Sequence, residues 1–368
     1  MSILHELEAK TSMMPEEYKH LSTDALIKRA KRVKEKLGDR LFIPGHHYQK
    51  DEVIQFADAT GDSLQLAKMS SQMSQAEYIV FCGVHFMAET ADMLTRADQT
   101  VVLPDMRAGC SMADMADIKQ AERAWEKLTA QFGDTIIPLT YVNSTAEIKA
   151  FVAERGGATV TSSNAKKVLQ WAFNQKERIL FLPDQHLGRN TAYDLGIPLE
   201  QMTVWDPISE TLSSSGEEDK RMILWKGHCS VHEMFTIEHV RQLRESEPER
   251  KILVHPECTF DVVQASDQSG STSTIIKSVR EAAPGTKWAI GTEMNLVERI
   301  RHEHPEQDIV SLNPNMCPCV TMNRIDLPHF VWSLERIEAG SANNTIRVDK
   351  DVSSKAVQAI ERMFEISS

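Results

Sequence analysis

The residues best suited to chemistry in this chain are its cysteines. There are six, at Cys82, Cys110, Cys229, Cys258, Cys317 and Cys319. Three stretches place one after a strand-like run and a turn: "VVLPDMRAGCSM", "MILWKGHCSVHE" and "IVSLNPNMCPCVTM". None has a second close Cys/His pair to complete a zinc knuckle. The first twenty residues are polar and acidic, without the apolar core of a signal peptide. No run approaches the ~18 apolar residues of a membrane span. The expectation is therefore a cytosolic protein, where cysteines serve metal binding or catalysis rather than disulfides. Three thiolates can hold an iron–sulfur cluster that leaves one iron open to substrate, or a zinc ion. The residues alone leave both open.

Spacing ties other reactive residues to these cysteines. Seventeen positions separate His46 from Ser63, and seventeen separate His255 from Thr272. Sixty-four separate His46 from Cys110, and sixty-four separate His255 from Cys319, whereas Cys317 falls at sixty-two. The repeat thus pairs Cys319 with Cys110 and leaves Cys317 as the extra thiol. A middle copy starts at Tyr141, in "YVNS" with Asn143, and reaches Cys229 after eighty-eight positions. Its excess is expected in "DPISETLSSSGEEDK", which reads as a polar surface loop. Cys82, inside an apolar strand, and Cys258, after Glu257, read as packing residues. A lone histidine usually packs or faces solvent, and His47 reads so; His46 and His255, at matched positions, read as ligand contacts. His85, His186 and His228 are expected on the cavity side.

Elements that place these residues follow from the periodicity. Within each copy, β-branched runs alternate with amphipathic patterns such as "AEIKAFVAERG" and "TIEHVRQLRES". That order implies an α/β protein of short parallel sheets covered by helices, with functional groups at the carboxyl ends of strands. We expect three pseudo-symmetric three-layer α/β/α domains around a central cavity. The expected boundaries are a helical extension over 1–38, repeat units over 39–133, 134–246 and 247–340, and an outer helix within 341–368. Ser63, Ser162 and Thr272 are expected to open helices, where free amides can hold a carboxylate or phosphate. The formal net charge of −12, with no basic tract, argues against a nucleic-acid binder but not against anionic metabolites.

The motifs themselves are specific as a set. "HHYQ", "GDS", "FMAETADML", "GCSMAD", "YVNS", "TSSNA", "FLPDQHLGRN", "HPEC", "GSTS" and "CPCVTMNRI" run from about Arg40 to Leu327. Together they resemble the NadA family of quinolinate synthases, and the resemblance implies the rest. Members have a triangular three-domain fold and a [4Fe–4S] cluster on three cysteines, here Cys110, Cys229 and Cys319. They condense iminosuccinate with dihydroxyacetone phosphate to give quinolinate, phosphate and water in NAD biosynthesis. The L-aspartate oxidase that supplies the imine is a candidate partner; neither nucleic acid nor membrane is expected. The chemistry needs acids, bases and charge stabilisation. Glu257 in "HPE" is the expected base and Tyr48 in "HHYQ" the expected acid, with His255 beside them. His46, Ser63, Tyr141, Asn143, Ser162, His255, Glu257 and Thr272 are expected to bind substrate. The family's Cys-x-x-Met pattern falls on Cys319 and Met322. The Cys-Pro-Cys is shorter than the Cys-x-x-Cys of thiol-switch relatives. Two other classes compete with this one, a non-catalytic iron–sulfur sensor or scaffold and a zinc-dependent hydrolase. The matched His, Tyr, Glu and Ser/Thr positions argue against the first, and the lack of a histidine-rich metal set against the second.

Overall fold

A computed structural model describes residues 13–213 and 219–368. The chain forms two compact units, Met1–Cys110 with Cys317–Asp349, and Ser111–Met316 with Lys350–Ser368. Residues 1–12 of the expected N-terminal extension lie outside the described residues. The rest of that extension holds a 3₁₀ turn, Glu16–His20, and the helix Thr23–Leu37, capped by Ser22 and ended at Gly38.

The first unit is built on β1 (Leu41–Phe42), β2 (Pro44–His46), β3 (Ala59–Gly61), β4 (Tyr78–Val80) and β5 (Thr100–Val102). All pairings among them are parallel: β1 with β4, β4 with β5, and β2 with β3. A bridge from Gly45 to Cys82 carries β2 onto the same sheet. The spatial order, with β1 and β2 as one broken strand, is second, first, third, fourth.

The second unit repeats that order twice. Its first sheet contains β6 (Ile136–Tyr141), β7 (Ala158–Val160), β8 (Arg178–Leu182), β9 (Met202–Asp206), β10 (Thr211–Leu212) and β11 (Met222–Trp225), in the order β10-β9-β11-β8-β6-β7. Without β9 and β10 the order is again second, first, third, fourth. β9 extends the sheet beyond β11, and β10 returns antiparallel to it. The extra length of the middle copy includes this added strand pair, which takes Asp206, Thr211 and Leu212 from the stretch expected to be a polar surface loop. Thr211 and Leu212 pair with Asp206 and Trp205 despite their serine-rich surroundings. Residues 214–218 of that stretch lie outside the described residues. The second sheet contains β12 (Lys251–Val254), β13 (Gln268–Ser269), β14 (Lys287–Gly291) and β15 (Asp308–Ser311), all parallel, ordered β13-β12-β14-β15.

Such strands are buried from both sides, so they read as unbroken apolar runs. All six residues of β6 are buried, as are Trp225, Phe151 and Phe181. The chain then returns to the first unit with the helix Leu327–Glu338 and β16 (Thr345–Ile346), antiparallel to β5. It ends in the second unit with the helix Lys350–Ser367, packed on the helix Ala146–Glu154, on β7 and on the helix Ala165–Gln175.

Hydrogen bonds reproduce the repeat in detail. The Ile43 amide donates to Asp58 Oδ2 at 2.8 Å, and the Ile252 amide to Asp267 Oδ2 at 2.7 Å. The Tyr48 amide donates to His46 Nδ1 at 3.1 Å, and the Glu257 amide to His255 Nδ1 at 3.3 Å. Tyr48 and Glu257 thus occupy equivalent positions, each two residues after its histidine.

Candidate active site

Each first strand of a copy ends on, or just before, a polar residue. Tyr141 closes β6, His255 follows β12 and His46 closes β2. In the second unit, β6 and β12 deliver Tyr141 and the turn His255–Cys258 to one buried cluster. The Tyr141 hydroxyl donates to Glu257 Oε1 at 2.6 Å. His232 Nδ1 lies 2.9 Å from Glu257 Oε2, and its Nε2 lies 3.1 Å from Thr292 Oγ1. The His232 and His255 rings stack with centroids 4.6 Å apart. Tyr141, His232, His255 and Glu257 are each at most 5 % exposed.

Burial at these distances separates the protonation states. It pushes His255 down to about 3, so the ring is neutral. Because His255 Nδ1 accepts the Glu257 peptide N–H, its own proton sits on Nε2. Burial would raise Glu257, but the positive charge either imidazole carries when protonated, with the bonds from His232 and Tyr141, outweighs it and holds the carboxyl below its usual range. Asp184 goes the other way: burial, reinforced by the Glu257 charge, pushes it well above the carboxylate range. The two carboxyls are thus pushed in opposite directions, the pattern that separates base from acid.

Cys229 joins this group. Ligand atoms of Cys229, His232 and Glu257 all lie within 4.8 Å of one another, a set able to hold a metal ion. His232 was not singled out from sequence. Its signal was its place three residues after Cys229, matching Met322 after Cys319.

The Cys229 and Cys319 loops share one construction. From Cys229, backbone bonds run Glu233 N to Cys229 O, Met234 N to Val231 O and Phe235 N to His232 O. From Cys319 they run Asn323 N to Cys319 O, Arg324 N to Thr321 O and Ile325 N to Met322 O. The third and sixth residues after each cysteine are buried: Ala113 and Ala116, His232 and Phe235, Met322 and Ile325. Counted from Cys317, the third residue is Val320, 73 % exposed. Cys110, Cys229 and Cys319 are half-buried, while Cys317 is exposed. Burial pushes the Cys82 and Cys258 thiols up, keeping them protonated and unfit as ligands. Cys110, Cys229 and Cys319 carry no such burial and stay candidates for a metal group.

The remaining expected residues fall as follows. His46 is buried, and Tyr48, half-buried, stands edge-on to its ring at 4.8 Å. Ser63 and Thr272 are the first residues of the helices Ser63–Gln72 and Thr272–Arg280, whose caps are Asp62 and Ser271. Ser162 does not open a helix. The Thr161 amide donates to Asn164 Oδ1 at 2.7 Å, closing a turn, and the helix begins at Ala165. Asn143 is half-buried in the loop after β6. His186 and His228 flank Glu233 at 3.3 and 3.1 Å, and His85 lies 3.7 Å from Glu89.

The family model described as "Quinolinate synthetase A protein" matches residues 6–365. The chain belongs to the quinolinate synthetase A (NadA) family. Proteins named quinolinate synthase from Bacillus subtilis and Geobacillus thermodenitrificans are 65 % and 64 % identical to it over 368 residues, covering all of both chains. One from Anoxybacillus flavithermus is 65 % identical over 365 residues, 99 % of each chain. The chain is accordingly an enzyme of this type. No described helix is long and apolar enough to cross a membrane.

Proposed function

We propose that the chain condenses iminosuccinate with dihydroxyacetone phosphate to give quinolinate, phosphate and water, with a [4Fe–4S] cluster on Cys110, Cys229 and Cys319. The relatives' name supports the product, and the half-buried, similarly built cysteine loops support the ligand set. When bound, the cluster supplies an open iron as Lewis acid. The remaining chemistry belongs to side chains. Glu257 is the base: its carboxylate is ionised and held by Tyr141 and His232. A carboxyl so depressed is a weak base at rest. An anionic substrate beside it raises its proton affinity toward the useful range. Neutral His255 offers its Nε2 proton to a substrate oxygen without a net charge. His46 and the helix starts at Ser63 and Thr272 hold carboxylate or phosphate groups. Tyr48, Tyr141, Asn143 and Ser162 complete the binding set, with Tyr48 as acid. The three copies form three domains, a division favoured by their shared strand order.

The observation that carries this reading is the buried Tyr141–Glu257–His232 network in a chain of this family. Anaerobic incubation of iron-loaded protein with both substrates should yield quinolinate. Brown, iron-replete protein that forms none rejects the reading. A second reading, a single divalent ion such as zinc, is favoured by the close approach of Cys229, His232 and Glu257. Colourless protein with stoichiometric zinc and no dependence on iron would select it.

A further inference from the structure

The motif "FLPDQHLGRN" ends in a residue the mechanism does not use. Asn190 lies on the helix Gln185–Asp194 and is 2 % exposed. Its Nδ2 donates to Pro256 O and to Cys258 O, both at 2.9 Å. These carbonyls belong to the residues on either side of Glu257. Both partners can only accept, so the amide is oriented with its nitrogen toward the turn. That orientation leaves Asn190 Oδ1 buried without a hydrogen-bond partner. An unpaired buried acceptor is costly, and a residue present only to fill space would avoid it.

The helix that presents Asn190 is itself held. Buried Asp184 caps it, accepting from the His186 and Leu187 amides. One turn beyond Asn190, Tyr193 meets Phe260 edge-on at 4.8 Å. Asn190 and Tyr193 therefore grip the segment 256–260 at both of its ends.

We propose that Asn190 is a positioning residue, fixing the Glu257 carboxylate against Tyr141 and His232 by tying down the carbonyls of its two neighbours. The proposal rests on Glu257 being the base. It predicts that the two N–H donors matter more than the volume. Asn190→Asp keeps the shape but sets a carboxylate against two carbonyls. Asn190→Ala removes both donors and leaves space. A displacement of about 1 Å at a reacting group can cost ~10²-fold in rate.

The test combines kinetics, iron content and hydrogen exchange on anaerobically purified N190A and N190D. We expect kcat to fall ~10–10²-fold in N190A and at least as far in N190D, with KM changed less than threefold. Iron content should match wild type, and the peptide spanning 255–260 should exchange faster. If N190A fails to fold, N190D and the apolar isostere N190L carry the comparison. Wild-type kcat in either isostere, or unchanged exchange at 255–260 in a folded variant, overturns the proposal. Wild-type protein that makes no quinolinate overturns the functional reading alone, because the exchange measurement reads the brace without it.

Discussion

Glu257 is ionised where burial alone would protonate it, and that state depends on few atoms. Tyr141 and His232 supply the hydrogen bonds. Glu257→Gln keeps the shape and spares every thiol but removes the charge. We expect it to retain iron and lose ~10²–10⁴-fold in kcat, as for loss of a general base. A loss of iron parallel to the loss of rate would show instead that Glu257 belongs to the metal site. His255 makes a separate prediction about stability. Its folded value of about 3 lies below the ~6.5 of an exposed histidine. Between those values the unfolded chain binds a proton that the folded site refuses, so stability falls as pH drops from ~6.5 toward 3. The full span corresponds to roughly 5 kcal/mol. Denaturation midpoints between pH 7 and 4 should decline less steeply in His255→Gln than in wild type. Equal slopes would remove His255 as their source.

The cysteine loops show what spacing can reveal about an element and what it cannot. The 64-residue offset selected Cys319, and the loop bonds reproduce its register, with buried residues three and six positions on. Cys319→Ala should therefore lose most bound iron in an anaerobic preparation, and Cys317→Ala should keep it. Similar losses in both would break the register argument. Equivalent strand ends were legible because matched side chains stand at matched intervals. Ser162 was misplaced because Asn164, which can close a turn through its own side chain, competes with the helix start. β10 was hidden by polar residues, since an edge strand needs no apolar run. His232 was missed because its role depends on Glu257, a contact across 25 residues that no local pattern encodes.

At the scale of the molecule, the fold itself must respond to the metal. A metal group held by Cys110, Cys229 and Cys319, as proposed, would add its binding energy to the folding energy. Chelating the iron anaerobically should lower the melting temperature, and reconstitution should restore it. An unchanged melting curve with full iron loss would mean that the ligand loops are set without it. The terminal helix matters in another way. Ala356, Ala359, Ile360 and Met363 are fully buried, and the helix Ala146–Glu154 that receives them is almost wholly enclosed. Burying Ile360 and Met363 alone is worth about 1.5–3 kcal/mol each. On a ribosome, the receiving helix is made about 200 residues before its cover. At ~5–20 residues per second, its apolar face and the buried Lys149 wait roughly 10–40 s for the covering helix to be made. Through that interval the uncovered face is what a nascent-chain chaperone would have to shield.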